Sequence, residues 1–167
     1  SEAEPAPKPT MSSTLPLPAV RSFRPADSYD VMGYDYATLK DVSEAQCVSA
    51  CQDDPSCRAT TYNRKAHFCF LKNDAKILVR NVDAVASIQS DIADSVVVST
   101  FVIRSGRDMV DGDYRRLRNT NFISCYAACE VDYQCRAFAY VRKKSECWLK
   151  NRIGYVSIKN GVDLGLK

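Results

Sequence analysis

The chain has 167 residues, of which 46% are hydrophobic and 26% charged, and a formal net charge of +3. That length fits one ordinary domain or two small ones. The composition is too apolar for a wholly disordered chain, and the longest strongly apolar stretch, around Val96 to Val98, falls far short of the ~18 residues needed to span a bilayer. One His beside eight Cys excludes His-rich metal sites and leaves little for acid–base chemistry near neutral pH.

Residues 1–18 hold Pro5, Pro7, Pro9, Pro16 and Pro18 among small polar residues, the composition of an extended lead-in. A strand is predicted at about 18–24. Ser43-Glu44-Ala45-Gln46 then forms a capping box, a hydroxyl at N-cap and Gln at N3, opening a helix that carries Cys47 and Cys51 on one face. Asp53-Asp54-Pro55-Ser56 stops it, because the residue before Pro avoids the helical region. Cys57 to Asn63 and His67 to Lys72 are β-prone runs around Arg64-Lys65-Ala66, a hairpin signal. Residues 89–95 have the composition of a short connection, and a further strand is predicted at 96–103. Asn121 caps a second helix over about Phe122 to Glu130. A second hairpin joins Cys135 to Val141 and Ser145 to Lys150 around Arg142-Lys143-Lys144.

These elements occur twice because the sequence does. Cysteines fall at 47, 51, 57 and 69 and again at 125, 129, 135 and 147, both as C-x3-C-x5-C-x11-C, offset by 78 residues. Residues 30–89 laid on 108–167 without a gap share 18 of 60 positions, including Asp35-Tyr36 with Asp113-Tyr114 and Leu71-Lys72-Asn73 with Leu149-Lys150-Asn151. The chain is a tandem duplication of a unit of roughly 70 residues, a size at which one hydrophobic core seldom suffices without staples. Zinc is the competing use of such cysteines, but the five- and eleven-residue gaps do not make two knuckles. Disulfides and an oxidising compartment are therefore expected, with no metal and no cofactor.

The phrases Cys57-Arg58-Ala59-Thr60-Thr61-Tyr62-Asn63 with Cys69-Phe70-Leu71-Lys72, and Cys135-Arg136-Ala137-Phe138-Ala139-Tyr140 with Cys147-Trp148-Leu149-Lys150, resemble the PAN/apple module in its short four-cysteine form. The resemblance covers about 20–167. It implies an α+β fold of two small disulfide-stapled domains, each a helix packed on an antiparallel sheet, over 19–88 and 96–167 with 89–95 as linker. Carried over from the family, the pairs are Cys47–Cys69 and Cys51–Cys57, then Cys125–Cys147 and Cys129–Cys135. The family consists of binding modules, so the resemblance also implies a non-catalytic protein outside the cytoplasm, in a bacterial periplasm, secreted or at a cell surface.

Two surface features are candidates for ligand contact. Residues 1–100 hold 10 Lys/Arg against 13 Asp/Glu, while residues 101–167 hold 13 against 7, so the second half is basic. Its cations gather at Arg115, Arg116 and Arg118 and at Arg142, Lys143 and Lys144, suited to an anionic glycan or an acidic protein. Nucleic acid fits poorly with an oxidising compartment. Period-two alternation, with Cys57, Ala59 and Thr61 set beside Cys69 and Leu71, places Phe138, Tyr140 and Trp148 together on the back of the second hairpin, a candidate sugar-stacking or protein-contact platform. The expected role is a protein-interaction module within a larger exported protein, with binding of anionic polysaccharide as the alternative.

Overall fold

The computed structural model describes residues 2–10 and 20–167. Half of the lead-in expected over 1–18 lies outside the described residues; the part at 2–10 has no regular secondary structure. The first repeat comprises β1 (Phe23–Val31), β2 (Asp35–Leu39), α1 (Glu44–Asp53), β3 (Ala59–Asn63), β4 (Phe68–Lys72) and β5 (Ile77–Gln89). A one-turn helix, α2 (Ser90–Ala93), occupies the expected connection. The second repeat follows with β6 (Val97–Met109), β7 (Asp113–Leu117), α3 (Phe122–Val131), β8 (Ala137–Val141), β9 (Glu146–Lys150) and β10 (Val156–Leu166). Each repeat is thus a helix on an antiparallel sheet, ordered β2-β4-β3-β5-β1 and β7-β9-β8-β10-β6.

The helices start where their caps dictate. The Ser43 backbone N–H donates to Gln46 Oε1 at 2.8 Å while Gln46 N–H donates to Ser43 Oγ at 3.1 Å, and Asn121 Oδ1 accepts from Ser124 N–H at 2.8 Å. At the other end the orphan carbonyls meet a cation, which the helix dipole favours. In the first repeat Arg21 donates to the carbonyls of Cys51, Gln52 and Asp54. In the second the Lys167 ammonium reaches Cys129, Glu130 and Asp132. The same job is done from opposite ends of the repeat. Beneath the helices lie the bridges Cys47–Cys69, Cys51–Cys57, Cys125–Cys147 and Cys129–Cys135, all eight sulfurs in the core and none left as a thiol.

The hairpins correct the expected faces. Each turn holds four residues rather than three: Asn63 pairs with Phe68 across 64–67, and Val141 with Glu146 across 142–145. An even loop sets odd residues opposite even ones, so every side chain of one strand changes face relative to the other. Tyr62 pairs with Cys69, Phe138 with Leu149, and Tyr140 with Cys147, all under the helix. Ala139 pairs with Trp148 and Ala137 with Lys150 on the far face. The residue that makes the fourth loop position feasible is in the left-handed region, His67 in one hairpin and Ser145 in the other.

The two repeats form one sheet. Ile77, Leu78 and Arg80 of β5 pair in parallel with Val97, Val98 and Val102 of β6. Parallel neighbours need a long return. Here the remainder of β5 and α2 supply it, because β5 bends at residues 81–84, which loop out opposite a single residue, Ser28, of β1. β10 bends alike at 159–162 opposite Gly106, the counterpart of Ser28, and both residues have positive φ. The junction is also packed. Met32 and Val79 of the first repeat join Phe101, Ile103, Tyr126 and Phe138 of the second in a common cluster. Ile123 on α3 sits against Gly33, where an added Cβ would come within 2.1 Å of its Cδ1.

Candidate functional site

The six cations singled out from the sequence do not make one patch. Arg116 lies opposite Trp148 on the far face, its guanidinium carbon 5.0 Å from the indole centroid, a cation–π contact. Arg115 pairs with Leu149, on the helix side. Arg118 follows the end of β7 and is exposed. Arg142, Lys143 and Lys144 form a single 3-10 turn at the hairpin tip. Arg142 reaches Asp163, its Nε 3.6 Å from Oδ2, and like Lys143 and Lys144 it is exposed.

The expected aromatic platform is dismantled by the register. Phe138 is 0% exposed and Tyr140 is buried, both beneath α3; only Trp148 is on the far face, half-buried. Phe138 and Tyr140 are therefore core residues and cannot meet a ligand. Lys72 and Lys150, also on the far face, are 3% exposed and each is held by a carboxylate, Asp35 and Asp113 respectively.

Sequence reasoning missed a second group. At the end of each helix a turn carboxylate accepts from a tyrosine on the neighbouring strand: Tyr36 Oη to Asp54 Oδ2 at 2.6 Å and Tyr114 Oη to Asp132 Oδ2 at 2.7 Å. Asp54 also accepts from Ser56 N–H and Asp132 from Gln134 N–H. Desolvation, then the hydrogen bond and charge of the aspartate, push both phenols up to about 12. The tyrosine hydrogen bond in turn holds each aspartate below the usual carboxylate range, helped at Asp132 by Arg115 and Lys167. The signal was in the duplication, since both members of the pair are identical in both copies. A phenol whose folded pKa exceeds its unfolded value of about 10 gives stability that is present at neutral pH and lost as pH rises from about 10 through 12. Spectrophotometric titration should show Tyr36 and Tyr114 ionising near 12, and Asp54→Asn should bring Tyr36 down towards about 10.

A cleft of about 580 Å³ lies at the junction of the repeats. Its floor is the far face of the first repeat, with Thr61, Phe68, Phe70 and Lys72. Its walls are Asp30 and Asn81 on one side and Ser105, Phe122, Arg142 and Asp163 on the other. Burial pushes Asp30 up, opposed by Lys72 and a hydrogen bond with Thr61; Asp35 and Asp163 add to the rise. Burial likewise raises Asp163, against the pull of Arg142 and a hydrogen bond with Ser105. Carboxylates, cations and partly covered aromatic rings thus face one opening. This mixture suits a peptide segment better than a uniformly charged polymer, because both signs of charge and apolar area are presented together. Asp30 recurs as Asp108 in the duplication, but Asp163 aligns with Val85, so nothing in the sequence joined them.

A family model described as PAN domain matches residues 22–95, and a second model of the same description matches residues 107–150. Between them the two stretches contain all eight cysteines. Among solved structures, the solution structure of the two N-terminal apple domains of Toxoplasma gondii microneme protein 4 is similar to this chain, with 22% identity and a TM-score of 0.36 over 84% of this chain and 87% of that one. No curated protein matches the chain. No helix among the described residues is long and apolar enough to cross a membrane.

Proposed function

The chain belongs to the PAN domain family, one domain in each half, and from that premise we propose that it is a non-catalytic, extracytoplasmic module that binds another protein as part of a larger exported protein. PAN domains are binding modules. The observation that carries the reading is the junctional cleft, which neither repeat forms alone and which offers acidic, basic and aromatic groups to one incoming segment. Buried disulfides throughout agree with an oxidising compartment.

A second reading, binding of an anionic polysaccharide, is favoured by one arrangement. Arg116 stacked on Trp148, with Arg118, Lys143 and Lys144 exposed in the same repeat, offers an aromatic face accompanied by cations. Two variants separate the readings. Phe70→Glu places a charge in the cleft, and Arg116→Ala/Arg118→Ala strips the stacked patch. Photo-crosslinking from position Ala66 to proteins of the native envelope or medium should give a defined adduct that Phe70→Glu abolishes and the double variant leaves intact. If instead the chain is retained on heparin resin in a salt-dependent way that only the double variant loses, the polysaccharide reading replaces the first.

A further inference from the structure

Among the described residues, the duplication leaves one sheet edge filled in the first repeat and open in the second. On β5, residues Ile77–Arg80 use one edge for β1 and the opposite edge for β6. On β10 the counterparts are Tyr155 to Ile158. They use one edge for β6, with Val110 N–H donating to the Tyr155 carbonyl as Met32 N–H does to Ile77. Their other edge has no strand on it among the described residues, since β8 pairs only from Val162 onward. The side chains there are those of a covered strand rather than a protected edge: Tyr155 is 85% and Ile158 76% exposed, with Ile153 exposed two residues before Tyr155 and Val110 exposed where its N–H meets the Tyr155 carbonyl. An uncovered edge of this kind is a template for pairing.

The strand that fills this edge in the first repeat also has a counterpart with a free side. β1 corresponds to β6, and its outer edge pairs with nothing among the described residues. Val20 takes the place of Val98 and is 92% exposed; Phe23 and Arg24 take the places of Phe101 and Val102. Pro25 comes next, and a proline limits strand addition to the residues before it. This is the span β6 uses, for its pairing with β5 ends at Val102.

We propose that the chain associates head to tail with a second copy of itself, the start of β1 in one copy adding in parallel to the free edge of β10 in the next, in the register Val156 to Val20 and Ile158 to Arg24. The contact is β-strand addition repeated between molecules as it occurs within one. It is heterologous, so each copy in a dimer keeps one unused edge and chains can lengthen beyond it. It is also weaker than the internal junction. The helix face that seats the second repeat carries Phe122, Ile123 and Tyr126, whereas α1 offers Glu44, Ala45 and Val48 at those places, one charge and two smaller side chains. Association therefore rests on the strand, with little helix packing behind it, and depends on concentration.

The test uses sedimentation velocity of the whole chain, wild type and two variants, Val20→Lys and Ile158→Lys, each at an exposed site and checked for native near-ultraviolet circular dichroism. Wild type should sediment faster with rising concentration and pass beyond dimer. Each variant alone should remain monomeric, its dissociation constant raised about tenfold or more. An equal mixture of the two should form a dimer and nothing larger, because Val20→Lys retains the β10 edge and Ile158→Lys retains the β1 edge. A wild type that stays monomeric to about 1 mM, variants that associate as wild type does, or a mixture that stays monomeric would each overturn the proposal. None of these outcomes bears on the cleft, which is lined by neither Val20 nor Ile158.

Discussion

Phe138→Ala should be among the most damaging single substitutions in the chain, lowering the unfolding free energy by about 3–5 kcal/mol, while Trp148→Ala on the same hairpin costs a small fraction of that. Phe138 is wholly buried, its ring centroid 5.9 Å from Phe101, 5.6 Å from Phe122 and 6.5 Å from Tyr126. Those rings come from β6, the start of α3 and its middle, so the cavity would open where strand, helix and junction converge. Its cross-strand partner is Gly165, whose missing side chain makes room for it: a Cβ there would lie 2.1 Å from Phe138 Cε1. Gly165→Ala should therefore also destabilise, and combining it with Phe138→Ala should cost less than the sum, because the second change removes the clash made by the first. Urea unfolding of wild type and these variants checks both statements. Equal losses for Phe138→Ala and Trp148→Ala would contradict the hairpin register.

The second large effect concerns the longer bridges. Replacing Cys47 and Cys69 by Ala should cost roughly 3 kcal/mol, against roughly 2 for Cys51 and Cys57, on the loop-closure argument. The difference arises from loop length, a separation of 22 residues against 6. The long bridge pins α1 to β4, while the short one ties the helix only to the turn that ends it. The same order is expected for Cys125–Cys147 against Cys129–Cys135, whose separations are identical. Thermal or urea unfolding without reductant, run on each double variant, gives the ranking.

Much of this architecture was legible in the sequence. The duplicated cysteine spacing marked two repeats, the Ser43 and Asn121 caps placed both helices, and the β-prone runs placed both hairpins, because caps and short-range periodicity are local signals. What failed was the parity of the hairpin turns. One residue more in each loop moved Phe138 and Tyr140 from an imagined surface to the core, and no propensity records whether His67 or Ser145 belongs to strand or turn. The cleft was illegible for a different reason. Asp30, Phe70, Ser105 and Asp163 come from four strands, and only the parallel β5–β6 pairing, a long-range event, brings them to one opening. The basic residues were found individually, but their sum as a patch depended on which face of β7 each occupies. Arg115 and Arg116 occupy opposite ones.

The nesting of the bridges has a consequence for a chain that is tethered at both ends and pulled. Each outer bridge withholds 22 residues from the extensible contour, roughly 70 Å at about 3.4 Å per residue. The inner bridges lie inside those closed loops and withhold nothing further until the outer ones are reduced. Under tension the module would release its β1, β2, β5, β6, β7 and β10 segments, while each helix–hairpin unit stayed a knot of fixed length. Reductant would then lengthen the tether in two steps per repeat, the first large and the second small.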